Sequence, residues 1–117
     1  MAVTEVTDAT FKLEVLESEL PVVVDFYADW CGPCKQISPA LAALSEEWIG
    51  SVRFAKIDVD GNQEAARAYR ISSIPAVLLF ENGEVAAWSI GAKPAYLIER
   101  ELGLVRRRKR DSGRGLR

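Results

Sequence analysis

Trp30-Cys31-Gly32-Pro33-Cys34-Lys35 holds both cysteines of the 117-residue chain, with two residues between them. The flanking sequence fixes where this pair stands. Before it, Pro21-Val22-Val23-Val24-Asp25-Phe26-Tyr27 is a β-branched and aromatic run, apolar on both sides. Such a run predicts a central strand covered on both faces. After it, Ile37, Leu41, Leu44 and Trp48 recur at helical spacing, which predicts a helix from Cys34 to Ile49 closed by Gly50. Pro39 lies inside that helix, and because the apolar spacing continues through it, one kinked helix is expected. The cysteines therefore stand where a strand ends and a helix begins.

A lone Cys-x-x-Cys has three uses: half a metal site, a structural staple, or a redox pair. Structural zinc wants four ligands, usually as two pairs, yet the chain has no histidine and no further cysteine. A loop this short removes little unfolded-state entropy, so it makes a weak staple. A redox pair is favoured. At a helix start, unpaired N–H groups and the helix dipole favour a negative sulfur and lower its pKa. Residues three apart on a helical turn are also close enough to bridge. Pro33 in the first turn sacrifices no hydrogen bond and stiffens the turn. Cys31, at the helix start, is expected to be the more exposed, attacking sulfur, and Cys34 the buried one that resolves.

Asp25 is anomalous inside so apolar a strand. A desolvated carboxyl has a raised pKa, and raised carboxyl pKa values are enriched at proton-transfer sites. The remaining chain reads as alternating units. Val3 to Val6 forms an edge strand, and Thr7 or Asp8 caps a helix whose inner face is Phe11, Val15 and Leu16. Val52 to Val59 forms a second parallel strand with a phase slip near Ala55-Lys56, which leaves Lys56 buried or half-buried, either as a partner for Asp25 or snorkelling to the edge. Asp60 or Asn62 caps a helix from Gln63 to Tyr69. Ala76 to Phe80 is a strand, Glu81-Asn82-Gly83-Glu84 a hairpin turn, and Val85 to Ile90 its antiparallel return. Lys93-Pro94 opens the last helix, with proline at its first position, Ile98 and Leu102 inward, and Gly103 at its end. The sum is an α/β fold, a mixed sheet of about five strands flanked by about four helices. Its cysteine turn lies beyond the carboxyl end of a central strand, where open sheets bind ligands.

With 49% hydrophobic and 27% charged residues, the composition is that of an ordinary globular domain. Residues 106–117 hold seven Lys or Arg and one Asp, a charge of +6; the net −2 leaves −8 on residues 1–105. Residues 1–105 are read as one domain and residues 106–117 as a basic, disordered tail. That tail could hold nucleic acid or an anionic surface, or simply be solvated. Met1 to Leu20 lacks the pattern of a signal peptide, no apolar run is long enough to cross a membrane, and cysteine usage suits a reducing compartment. A cytoplasmic monomer is expected.

Val24-Asp25-Phe26-Tyr27-Ala28-Asp29-Trp30-Cys31-Gly32-Pro33-Cys34-Lys35 resembles the active-site segment of the thioredoxin family. Ile74-Pro75-Ala76-Val77-Leu78-Leu79-Phe80 and Asn82-Gly83 resemble its proline loop and hairpin, and the likeness runs from about Val3 to about Leu104. The resemblance implies the thioredoxin fold and reduction of client-protein disulfides by a Cys31/Cys34 cycle. It also implies no bound cofactor and recycling by an NADPH- and flavin-dependent thioredoxin reductase. It places Asp25 beneath Cys34 as a proton relay tuned by Lys56, and a cis Ile74–Pro75 bond opposite Cys31. Ile74 would then present its backbone to an extended client peptide. Trp30, Gly32, Pro33, Ile74, Pro75, Gly91 and Ala92 form the expected client-binding rim, Gly91 otherwise being a simple turn glycine.

Departures from the pattern are Tyr27 for a frequent tryptophan, Ala76 for a common threonine, and the variant pair Ser72-Ser73. They bear on partner preference rather than on sulfur chemistry. Two rivals are a disulfide oxidase or isomerase on the same fold, and a redox-inactive binding module using the apolar rim. Oxidising relatives usually carry a histidine between the cysteines, and this chain has none.

Overall fold

The computed structural model describes residues 3–104. Five strands form one sheet in the order β1-β3-β2-β4-β5. They are β1 (Val3–Glu5), β2 (Val22–Tyr27), β3 (Arg53–Asp58), β4 (Ala76–Glu81) and β5 (Glu84–Ile90). β1 and β2 run parallel to β3, while β4 is antiparallel to both β2 and β5. The helices are α1 (Gly32–Glu47), α2 (Gln63–Ala68) and α3 (Ala95–Glu101), with a π-helical segment at Lys12–Leu16. This is the mixed α/β architecture expected. The basic tail, residues 106–117, lies outside the described residues.

β2 is central because it can be buried on both faces. Val22, Val24 and Phe26 join Ile57, Leu78 and Phe80 in one core, closed by Phe11 and Val15. Val23 joins Phe54, Val77 and Leu79 in the other, closed by Ile37, Leu41, Leu44 and Trp48 of the α1 segment and by Ile98 and Leu102. Phe11, Tyr69 and Phe80 pack at ring-centroid distances of 5.0 to 5.7 Å, two of the three pairs edge-to-face. Among the described residues no helix is long and apolar enough to cross a membrane.

Several local expectations need correction. β3 pairs in unbroken register with β2, so no phase slip occurs near Ala55-Lys56. Phe54 enters one core and Ala55 and Ile57 the other, because both faces of this strand are covered. α1 begins at Gly32, two residues earlier than expected, and continues through Pro39. Pro94 occupies the cap position just outside α3 rather than its first residue.

Capping differs most. Neither Thr7 nor Asp8 caps the segment that follows, where Phe11 takes the cap position without a side-chain bond. Asp8 instead reaches 56 and 57 residues along the chain, its carboxylate accepting from the N–H groups of Glu64 (3.1 Å) and Ala65 (2.9 Å). Asn62 occupies the cap position of α2 but makes no cap bond. Its amide oxygen accepts from the Asp8 N–H at 2.8 Å, and its amide nitrogen donates to the Asp58 carbonyl at 3.0 Å. The hairpin follows expectation: Asn82 (φ 53°) and Gly83 (φ 81°) both take the left-handed conformation that a two-residue turn requires. A Cβ on Gly83 would come within 3.1 Å of the Leu16 carbonyl oxygen.

Candidate active site

β2 ends at Tyr27, and four residues, Ala28 to Cys31, lead from it into α1 at Gly32. The Cys31 N–H donates to the Ala28 carbonyl at 3.2 Å, which fixes the turn. Cys31 is then the N-cap of α1, with extended backbone (φ −87°, ψ 106°), and Pro33 sits within the first turn. The Cys31 sulfur accepts the Cys34 N–H at 3.2 Å. A sulfur thus fills the place that a serine or aspartate oxygen fills in most helix caps. Cys31 and Cys34 are joined as a disulfide, with Cα atoms 5.3 Å apart.

Exposure does not separate the two cysteines, contrary to expectation: Cys31 is 3% and Cys34 4% exposed. Both pack with Ala28 in a small cluster bordered by Tyr27, Val59 and Ile74. What separates them is the direction each faces. Cys34, not Cys31, lines a cavity of about 210 Å³ together with Asp25, Lys56, Lys35 and Ser38.

Asp25 is 6% exposed, and its Oδ1 has no hydrogen-bond partner. Burial pushes its pKa from the ordinary 3.8 up to about 7; the Lys56 charge partly offsets this, and the Glu5 charge adds to it. The expected Asp25–Lys56 pairing is present only as this through-space attraction. The short ion pair of Lys56 is with Glu5, at 3.7 Å. Tyr27 donates its hydroxyl to the other Glu5 oxygen at 2.7 Å, and the Lys56 ammonium lies 5.4 Å from the centre of the Tyr27 ring.

The rim residues are arranged as follows. Trp30 is 71% exposed, and its indole N–H donates to Asp60 at 2.8 Å. Gly32, Pro33 and Ala92 are exposed, Ile74 and Gly91 are half-buried, and Pro75 is buried. The Ile74–Pro75 bond is cis. The Gly91 N–H donates to the Pro75 carbonyl at 2.8 Å, with Gly91 at φ +92°. Gly91 is therefore a turn glycine in a conformation that disfavours side chains, and its backbone anchors the proline loop. Two supporting residues escaped the sequence reading. Asp60 appeared there only as a cap candidate, and Glu5 appeared only within an edge strand.

A family model described as Thioredoxin matches residues 2–102. The chain belongs to the thioredoxin family. Thioredoxin from Porphyra purpurea is 46% identical over 102 residues, covering 87% of this chain and 95% of that relative. Thioredoxin C-2 from Corynebacterium nephridii is 47% identical over 92 residues, covering 79% and 85%. Thioredoxin from Mycobacterium tuberculosis strain H37Rv is 45% identical over 101 residues, covering 86% and 87%. Family membership and the bridged Cys31/Cys34 pair make this chain a thiol–disulfide oxidoreductase with disulfide reductase activity. Nothing in the comparisons favours the oxidase, isomerase or redox-inactive readings. Among the described residues no cluster of His, Cys, Asp and Glu is built to hold a metal ion.

Proposed function

We propose that this thioredoxin-family chain carries two electrons from a reductase to disulfides of client proteins, with Cys31 as nucleophile, Cys34 as resolving thiol and Asp25 as its base. The observation that carries the reading is the asymmetry of the pair. The Cys31 sulfur accepts a helix-start N–H, whereas Cys34 faces the cavity that contains a buried carboxyl. A sulfur at a helix N-terminus is favoured as thiolate.

In the first step the Cys31 thiolate attacks one sulfur of the client disulfide. A mixed disulfide forms, and the other client sulfur leaves as a thiolate that takes up a proton. Asp25 then removes the Cys34 proton, directly or through a water in the cavity. The Cys34 thiolate attacks the Cys31 sulfur, the mixed disulfide breaks, and the second client sulfur departs. Two electrons have passed to the client, and the Cys31–Cys34 disulfide has closed. A carboxyl with a pKa of about 7 can take this proton and release it again near neutral pH.

Trp30, Gly32, Pro33, Ile74, Pro75, Gly91 and Ala92 form the client-binding rim, and Ile74 offers its backbone to an extended client strand. Regeneration falls to an NADPH- and flavin-dependent thioredoxin reductase. The chain acts as a cytoplasmic monomer in electron transport and cell redox homeostasis, with residues 1–105 as its domain and residues 106–117 as a basic tail.

The test is insulin reduction driven by dithiothreitol, paired with alkylation of Cys31 in the reduced protein as a function of pH. Cys31→Ser is expected to fall to the uncatalysed rate, and wild-type Cys31 to react with iodoacetamide at or below neutral pH. A Cys31→Ser variant as fast as wild type, or a Cys31 unreactive at mild alkalinity, overturns the reading.

A further inference from the structure

Three charged side chains lie in a row beneath the cysteine turn. β1, β3 and β2 are adjacent in the sheet, and their parallel register sets Glu5 beside Lys56 and Lys56 beside Asp25. Residues paired in register point to the same face. The sheet therefore places one ammonium between two carboxylates on the α1 face. These two carboxylates do not share the ammonium equally. Glu5 holds it at 3.7 Å, and Asp25 forms no short ion pair with it. Tyr27 fastens the outer end of the row, donating to Glu5 at 2.7 Å while its ring lies under the Lys56 ammonium. Tyr27 is also where this chain departs from the tryptophan frequent in the family, and a tyrosine supplies the hydroxyl that orients Glu5.

We propose that Glu5 is a positioning residue for the exchange reaction: with Tyr27 it draws the Lys56 ammonium to the Glu5 side of the row, away from the Asp25 carboxyl. This rests on Asp25 being the base for Cys34. An ammonium drawn fully onto Asp25 would stabilise the carboxylate and weaken it as a base near neutral pH. Glu5 prevents that in two ways, by competing for Lys56 and by repelling a negative charge on Asp25. The other charged groups around the cavity are few. Lys35 of α1 lines it, and Asp29 also lies in its wall. Asp58 and Asp29 also act on Tyr27. Lys56 and Lys35 are thus the cations at the cavity, and Glu5 controls the one that stands in register with Asp25.

The test follows the Asp25 carboxyl by ¹³C NMR in the reduced, full-length protein through a pH titration. Wild type is compared with Glu5→Gln, Glu5→Asp, Lys56→Met and the double variant Glu5→Gln/Lys56→Met. Glu5→Gln is expected to lower the Asp25 midpoint by about half a pH unit or more, from the loss of one charge two strands away. Glu5→Asp, which keeps the charge, is expected to restore part of the wild-type midpoint. The same Glu5→Gln change is expected to shift the midpoint less when Lys56 is already methionine, because the competition has gone. A wild-type midpoint in folded Glu5→Gln overturns the proposal, as does an equal shift with and without Lys56. The reading of Asp25 as base is judged separately, by the pH profile of mixed-disulfide resolution in Asp25→Asn. If that profile matches wild type, the base assignment fails, while the NMR midpoints still decide the role of Glu5.

Discussion

Asp8 and Asp25 are the same side chain used in opposite ways. Asp8 is tied by three hydrogen bonds to one segment, residues 62–65: its carboxylate accepts two N–H groups at the start of α2, and its own N–H donates to Asn62. Asp25 is more deeply buried, yet one of its oxygens has no partner. A buried polar atom without a partner costs stability, and a buried carboxylate costs more. The fold therefore spends hydrogen bonds on the aspartate that holds a helix in place and withholds them from the aspartate facing Cys34. A buried carboxyl with an unsatisfied oxygen keeps its proton to higher pH, as Asp25 does. With Asp25 proposed as the base for Cys34, the difference between the two is the difference between a structural and a chemical use of one functional group.

The largest expected effect is on stability at Asp25. Its folded pKa of about 7 lies above the ordinary 3.8, so the folded state holds this proton more tightly than the unfolded state. Wild-type stability should therefore fall as pH rises from about 4 to about 7 and level off above that. The full penalty is about 4 kcal/mol. Asp25→Ala is expected to be more stable than wild type at pH 8 by a large part of that amount, and to lose the advantage near pH 4. Urea unfolding of the oxidised proteins at both pH values checks this. A gain that does not depend on pH would mean that packing, not ionisation, separates the variants.

Next in size is the kinetic effect of the same residue. General-base catalysis contributes roughly 10² to 10⁴ in rate. Asp25→Asn is expected to slow resolution of a preformed mixed disulfide by about 10²-fold at pH 7. Initial attack by Cys31 should change much less, because its sulfur is served by the helix-start N–H rather than by the cavity. Stopped-flow measurement of the two steps separates them. Equal slowing of both steps would erase the division of labour between the two cysteines.

The two aspartates were not equally legible in the sequence. Asp25 announced itself because a charge inside Val22-Val23-Val24-Asp25-Phe26-Tyr27 has no local explanation. The strand, turn and helix around the cysteines were readable for the same reason: their signals lie within a few residues of one another. Asp8 misled because local capping rules apply to the helix that follows, and its true partners lie 56 and 57 residues away. Glu5 was invisible as a site residue, since only the β1–β3 register brings it beside Lys56. Nor did sequence reveal that both cysteines are equally covered, because cover comes from the Ile74 loop as well as from the helix. Local chemistry could be read directly, whereas contacts made by register and by distant loops could not.

The smallest effects test the structural half of the comparison. Asp8→Ala removes the side-chain acceptor of two N–H groups at the start of α2 and is expected to cost about 1 to 2 kcal/mol at pH 7. Asn62→Ala removes one bond to the Asp8 N–H and one to the Asp58 carbonyl, and is expected to cost about 1 kcal/mol. The ordering carries the argument. Asn62 stands at the cap position but leaves the helix N–H groups alone, whereas Asp8 stands far away in sequence and satisfies them. Because the two side chains brace the same junction, the double variant should cost less than the sum of the singles. Amide exchange at Glu64 and Ala65 should quicken more in Asp8→Ala than in Asn62→Ala. The reverse order would assign the cap to Asn62 after all, and Asp8 would no longer be the satisfied counterpart of Asp25.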